Sequence, residues 1–124
     1  RNLPHIQNPG ACYFLTWRTH DFQHLTSEER TITLNALRHW DGKRWKLLTA
    51  VVMPDHVHAL ARPPPIQHED GDYYSLAKIL HSVKGYSSHR INDLRGTNGQ
   101  VWQDERHDRL VRDHEELIDM WGYI

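Results

Sequence analysis

The 124-residue sequence lacks several features that define whole classes of protein. It has one cysteine, Cys12, so no internal disulfide framework can form, and a reducing, cytoplasmic setting fits this composition. No apolar run approaches the ~18 residues that a membrane span needs, and no apolar core follows Arg1 as it would in a signal peptide. We therefore expect no membrane association.

A large excess of charge is also missing, since the formal net charge is −1 with histidine neutral. A non-specific DNA coat protein would be basic, so this balance argues against one. The charge is unevenly distributed, however. Residues 75–95 contain four Lys or Arg and one Asp, whereas residues 113–119 contain four Asp or Glu and no Lys or Arg. A local basic face matters more to a phosphate backbone than the total charge does.

The sequence does contain an orderly succession of strand and helix patterns. Aromatic and β-branched residues predict a strand over 12–19, and the capping box Thr26-Ser-Glu-Glu29 predicts a helix that ends at about Trp40. The remaining predictions are strands 46–53 and 56–61 joined as a hairpin, a helix over 75–94, short extended pieces at 101–103 and 110–111, and a helix from His114 onward.

This order predicts an α+β fold of the ferredoxin-like, split βαβ type, with an antiparallel sheet and helices on one face. We expect a single domain spanning residues 1–124. Cys12 is interpreted as a small strand residue, and Trp17, Trp45 and Trp102 as core or sheet aromatics.

The segment Met53-Pro-Asp-His56-Val-His58 is the most informative motif. Residues two apart on a strand share a face, so His56 and His58 project together while Val57 faces the core. Two such imidazoles can lean onto one divalent cation, and they can equally be a solvated surface pair. Asp55 is interpreted as a turn residue; it would point to the opposite face if the strand began there. Two histidines with one oxygen ligand suit Mg²⁺ or Mn²⁺, whereas a third histidine would favour Zn²⁺.

Tyr123 is a candidate nucleophile near the end of the chain. On the last predicted helix, Leu117, Trp121 and Ile124 form the core stripe, and Tyr123 lies off it. Its hydroxyl is therefore expected to face a cleft or solvent. An ordinary amphipathic tyrosine fits this position as well, because a tyrosine nucleophile needs activation or a phosphate polarised by a metal.

Several stretches, in order, resemble the REP-associated tyrosine transposases, relatives of the small single-tyrosine (HUH) insertion-sequence transposases. The set covers nearly the whole chain and is specific only as a set. It comprises Tyr13-Phe-Leu-Thr-Trp17, Leu25-Thr-Ser-Glu-Glu-Arg30, Ala36-Leu-Arg-His-Trp-Asp-Gly42, Val51-Val-Met-Pro-Asp-His-Val-His58, Leu80-His-Ser-Val-Lys84 with Ile91-Asn92, Val101-Trp-Gln103, His107-Asp-Arg-Leu-Val-Arg-Asp113 and Tyr123-Ile124.

The resemblance implies a ferredoxin-like fold, Mg²⁺ or Mn²⁺ bound by His56 and His58, and Tyr123 as the nucleophile. It implies cleavage of single-stranded hairpin DNA through a 5′-phosphotyrosine link that leaves a 3′-hydroxyl, and a homodimer. In the family, a polar residue four positions after the tyrosine can reach the metal. Because this sequence ends at Ile124, we expect either a domain truncated there or a third ligand supplied otherwise.

Basic residues supply the candidate DNA contacts, and a solvated polar face explains most such charges equally well. Lys84 ranks first because it matches a position that is usually basic in the family. Two other functions stay open: a hairpin-binding module that does not cleave, and a small metal hydrolase that uses His56, His58 and another histidine. His107 is expected to be a surface histidine rather than a ligand. The candidate contacts are Lys78, Lys84, Arg90, Arg95, Arg109 and Arg112.

Overall fold

The computed structural model describes residues 12–62 and 76–111, and the predicted order of strands and helices is confirmed within them. The helix predicted from His114 lies outside the described residues. In chain order the elements are β1 (Cys12–Arg18), α1 (Ser27–His39), β2 (Lys46–Val52), β3 (His56–Arg62), α2 (Leu76–Arg95) and β4 (His107–Val111).

The four strands form one sheet in the order β2-β3-β1-β4, and every neighbouring pair is antiparallel. This is the predicted ferredoxin-like arrangement, with β1 and β3 at the centre. The last strand differs in detail from the expectation. Trp102 makes only an isolated bridge to Thr19, whereas β4 starts at His107, earlier than the extended piece predicted at 110–111.

The strand alternation gives the sheet two chemically different faces. Tyr13, Leu15 and Trp17 of β1 share one face with Val57 of β3, and they pack into a core with apolar side chains from both helices. We call this the helix face. The opposite side carries His56, His58, Thr16 and Arg18 and is called the histidine face.

The apolar predictions for the strands are confirmed. Trp17, Trp45 and Trp102 are buried, and so is Cys12 at the start of β1. Burial raises the pKa of the Cys12 thiol, which keeps it protonated and unreactive. Within the described ranges, no helix is long and apolar enough to cross a membrane.

The predicted capping box starts α1. Thr26 Oγ1 accepts a 3.2 Å hydrogen bond from the Glu29 amide, and the Glu29 carboxylate accepts a 2.9 Å bond from the Thr26 amide. Two amides that the helix cannot satisfy internally are thereby bonded. The helix ends at the predicted place, since Gly42 follows with a φ of 79°, a conformation that glycine adopts without strain.

Candidate metal centre

His56 and His58 lie together at the start of β3 on the histidine face. Their ring centroids are 4.6 Å apart and the rings meet edge to face, while Val57 between them is fully buried in the core. The predicted geometry of the pair is therefore confirmed, and its binding of a metal stays a prediction. Strand alternation places both rings on this side, and the turn at Pro54-Asp55 leaves them at one end of the sheet.

Asp55 contacts His56, and the expectation that it is a turn residue is confirmed. Its Oδ1 lies 2.7 Å from His56 Nδ1. Strand alternation would place Asp55 on the opposite face only if β3 began there, and β3 begins at His56. The bond from His56, aided by nearby positive charge, lowers the pKa of the Asp55 carboxyl. An ionised carboxylate accepts the proton of Nδ1 and leaves Nε2 of His56 as the nitrogen that can bind a metal.

His58 is held in a similar way by two residues of β1. Its Nδ1 lies 3.2 Å from Thr16 Oγ1, directly across the sheet, and its ring stacks on Phe14 with centroids 5.5 Å apart. If Nδ1 donates to Thr16, Nε2 is the nitrogen that would coordinate a cation. Burial, together with His56 and Arg18, lowers the pKa of the His58 imidazole. The neutral form, which is the metal-binding form, therefore persists to lower pH than in an exposed histidine.

The two histidines do not complete a metal site by themselves. In residues 12–62 and 76–111, no group of three or more His, Cys, Asp or Glu side chains is arranged to hold a metal ion. His107 of β4 also lies on the histidine face, where it pairs with Thr16 of β1. Because Thr16 pairs with His58 on its other side, β1 lies between His107 and His58. Its exposed position fits the expectation of a surface histidine.

Replacing Asp55 with asparagine is expected to weaken Mn²⁺ binding by about 10- to 100-fold, the usual cost of losing a carboxylate behind a metal-ligating histidine. The substitution keeps the side-chain shape but removes the charge that orients the His56 ring. Mn²⁺ titration followed by electron paramagnetic resonance measures the change. Asp41→Asn, a change in another exposed turn, is the matched control and should bind Mn²⁺ like the wild type. Unchanged affinity in Asp55→Asn would mean that the carboxylate does not position His56.

The residues predicted to contact DNA do not share one surface. Lys78 and Arg90 are exposed on α2, which packs on the helix face and thus lies across the sheet from the histidine pair. Arg90 also donates a 2.9 Å hydrogen bond to the Tyr86 hydroxyl, with its guanidinium 5.8 Å from the ring centre. A DNA contact by these two residues stays a prediction.

Lys84 lies in a cleft of about 380 Å³ between α2 and residues 100–106. Its Nζ donates a 2.7 Å hydrogen bond to the carbonyl oxygen of Gln103, and burial lowers the pKa of its ammonium group. Arg106 lines the same cleft. Lys84 is therefore a half-buried cation bonded to the segment before β4, and a phosphate contact there stays a prediction.

Arg95 and Arg109 have contrasting surroundings. Arg95 forms a two-pronged ion pair with the buried carboxylate of Glu29, at 2.7 and 3.0 Å, which gives it a structural role that sequence reasoning did not anticipate. Arg109 is exposed on β4 opposite Phe14, on the histidine face. Arg112 and Tyr123 lie outside the described residues.

Residues 13–109 match the family model described as "Transposase IS200 like", a span that includes all of β1 but its first residue, both histidines and most of β4. The chain belongs to this family. It is accordingly a transposase, a DNA-processing enzyme. A comparison with curated protein sequences gave no significant match.

Two solved structures share the fold of this transposase. One is described as a REP-associated tyrosine transposase bound to a REP hairpin; it aligns with a TM-score of 0.72 and 17% identity, over 100% of this chain and 70% of that one. The other is described as a "putative transposase" from Deinococcus radiodurans R1, with a TM-score of 0.63 and 22% identity, over 99% of this chain and 93% of that one. At these identities the likeness concerns the fold.

Proposed function

We propose that this transposase cuts and rejoins single-stranded hairpin DNA with Tyr123 as its nucleophile and with Mg²⁺ or Mn²⁺ at His56 and His58. The observation that carries the proposal is the pair of imidazoles on the histidine face, 4.6 Å apart, each with Nδ1 bonded to a neighbouring oxygen. Such bonds orient the rings of metal-ligating histidines and raise their basicity. A bound divalent cation would polarise the scissile phosphate and stabilise the charge that develops on its oxygens.

The proposed chemistry conserves the energy of the phosphodiester bond. The phenolic oxygen of Tyr123 forms a bond to phosphorus and gives up its proton, while the bond to the 3′-oxygen breaks and that oxygen takes up a proton. One DNA end then carries a 5′-phosphotyrosine link and the other a 3′-hydroxyl. Attack of a 3′-hydroxyl on the phosphotyrosine reverses the step, so strands are joined without an external energy source.

Charge on the histidine face supports a DNA substrate. None of the four strands places a carboxylate on this face, because Asp108, the one acidic strand residue, pairs with Leu15 and lies on the other side. The Asp55 carboxylate in the turn contacts His56 at one end of this face, and a predominantly basic face attracts a phosphate backbone even when the net charge is near zero. The basic side chains that alternation places there are Arg18, Lys46, Arg62 and Arg109.

The hairpin form of the substrate is proposed from the solved relative, which is described as bound to a REP hairpin. We further propose a homodimer, as the family resemblance implies. β2 and β4 are the two edge strands of the described sheet, and edge strands offer unpaired backbone groups to a second copy.

The proposal is tested by incubating the full chain with labelled single-stranded hairpin DNA and Mn²⁺, beside a Tyr123→Phe variant, and separating the products on a denaturing gel. A covalent adduct is expected in the wild type and not in the variant, which lacks the attacking oxygen. DNA binding without an adduct would favour a non-cleaving module. Metal-dependent hydrolysis of another substrate, at the same rate in the wild type and in Tyr123→Phe, would favour a small hydrolase.

A further inference from the structure

A short 3₁₀ turn, His20–Phe22, follows β1 and has an unusual backbone. Asp21 and Phe22 are consecutive non-glycine residues in the left-handed region, with φ values of 57° and 55°. Side chains make this region unfavourable, and it persists only where the surroundings hold it. Backbone strain of this kind is concentrated at functional sites.

Hydrogen bonds on both flanks fix the turn. The Thr19 amide donates to the Asp55 carbonyl oxygen at 2.9 Å, and the His20 amide donates to the Val101 carbonyl oxygen at 2.7 Å. After the turn, Gln23 Nε2 donates to the carbonyl oxygens of His20 and Gln100, at 2.8 and 3.0 Å. The turn is thus fixed by hydrogen bonds on both sides. One of these bonds is to the backbone of Asp55, whose side chain orients His56.

Phe22 contributes little to the core despite this rigid support. Its ring is 64% exposed, more than any other large hydrophobic side chain in the described part of the chain. A single exposed apolar residue is ordinary on a protein surface. An exposed ring that is held in a strained conformation by several hydrogen bonds is not accounted for by folding, and this suggests a binding role.

The turn lies at the histidine end of the sheet. Arg18 precedes it and pairs with His56 across β1 and β3, and His24 follows it. Both Arg18 and His24 are close enough to lower the pKa of the Asp55 carboxyl by their charge. Arg18 and His24, which flank the turn, are therefore cationic or ionisable neighbours of the histidine pair.

We propose that Phe22 is a stacking platform for an unpaired base of the DNA strand that passes the histidine pair, an inference that rests on the proposed single-strand function. A neutral ring stacks on any base, so the platform would hold the strand without reading its sequence. Arg18, the last residue of β1 before the turn, offers charge to a neighbouring phosphate. Asp21, the acidic neighbour, would not oppose contact with an uncharged base.

Binding of the full chain to labelled single-stranded oligonucleotides tests this proposal, with Phe22→Ala, Phe22→Trp and Phe22→Asn compared with the wild type. Loss of one stacked base should weaken binding by Phe22→Ala about 5- to 150-fold, while Phe22→Trp retains it. Asparagine tolerates the left-handed region, so Phe22→Asn should bind weakly and melt no lower than the wild type. Leu94→Ala, which removes another exposed apolar side chain, is the matched control.

Two further readouts separate stacking from other roles. Stacking involves no phosphate, so Phe22→Ala should keep the salt dependence of binding, whereas Arg109→Ala should reduce its slope by about one unit. A scan of single abasic sites should find a position at which wild type and Phe22→Ala bind equally.

Wild-type affinity in Phe22→Ala would overturn the platform and leave the proposed function intact. Conversion of a dimer to a monomer, with DNA affinity unchanged, would make the ring a protein contact and also overturn it. Failure of the wild type to bind any single strand would instead overturn the proposed function itself.

Discussion

Replacing His56 or His58 with alanine is expected to reduce Mn²⁺-dependent DNA cleavage below detection and to leave the fold in place. The two rings lie 4.6 Å apart, and within the described residues no third His, Cys, Asp or Glu side chain joins them in a group that could hold a metal ion. Removal of either imidazole leaves too few ligands to hold a weakly bound hard cation. Both variants should therefore lose Mn²⁺ binding, measured by titration, together with adduct formation on hairpin DNA.

The two variants should differ in stability. The His56 side chain is 22% exposed and its main described partner, Asp55, is also partly exposed, so His56→Ala should melt close to the wild type. His58 stacks on Phe14 and bonds to Thr16, so His58→Ala leaves a gap on the histidine face. We expect this gap to cost about 1–2 kcal/mol of unfolding free energy, a common range for single substitutions.

A control for histidine removal is His39→Ala. His39 is exposed at the end of α1, just before β2, whose first residue pairs with Arg62. Arg62 lies six positions along β3 from His56, or about 20 Å of strand. His39→Ala should cleave like the wild type. Cleavage that survives in His56→Ala and His58→Ala would show that the pair does not hold the catalytic metal.

The sequence was sufficient for the features that depend on local periodicity. A period of two placed His56 and His58 on one face and Val57 in the core, and the capping box marked the start of α1. These signals need no knowledge of the rest of the chain, because neighbouring residues on a strand or in a helical turn determine them. The predicted ferredoxin-like order followed from the same signals.

The contacts that complete the site depend on strand register and chain reversal. Thr16 meets His58 only because β1 pairs with β3 in this register, which no local pattern specifies. Asp55 turns toward His56 because the strand starts one residue after it. Phe22 could not be singled out either, since its exposure and left-handed backbone are properties of a turn fixed by distant hydrogen bonds.

The Glu29–Arg95 pair joins the two helices on the helix face and is expected to be the main polar determinant of stability. Glu29 is 3% exposed, and its carboxylate both caps α1 and accepts two hydrogen bonds from Arg95 at the end of α2. Removing one partner of a buried ion pair typically costs about 3–5 kcal/mol. The Arg95 side chain is 25% exposed and can be rehydrated, which places the cost at the lower end.

Glu29→Ala should therefore lower the free energy of unfolding by about 3 kcal/mol, measured by urea denaturation. Glu29→Gln can still cap the helix and should cost about 1.5 kcal/mol, the contribution of a charge-assisted hydrogen bond. Glu28, the exposed residue next to Glu29, provides the control: Glu28→Ala should lower the free energy of unfolding by less than about 1 kcal/mol. If the Glu29→Ala and Arg95→Ala losses simply add in the double variant, the two side chains are not coupled.

The same pair predicts how stability changes with pH. The bonds from Arg95 lower the pKa of the Glu29 carboxyl below its ordinary 4.5, so the folded state binds this proton less readily than the unfolded state. The stability it contributes is then fully present above about pH 4.5 and is lost as the pH falls through the folded-state pKa. The gap in unfolding free energy between wild type and Glu29→Gln should be constant near neutrality and shrink in acid. A gap that stays constant down to strongly acidic pH would mean that ionised Glu29 is not what holds the two helices together.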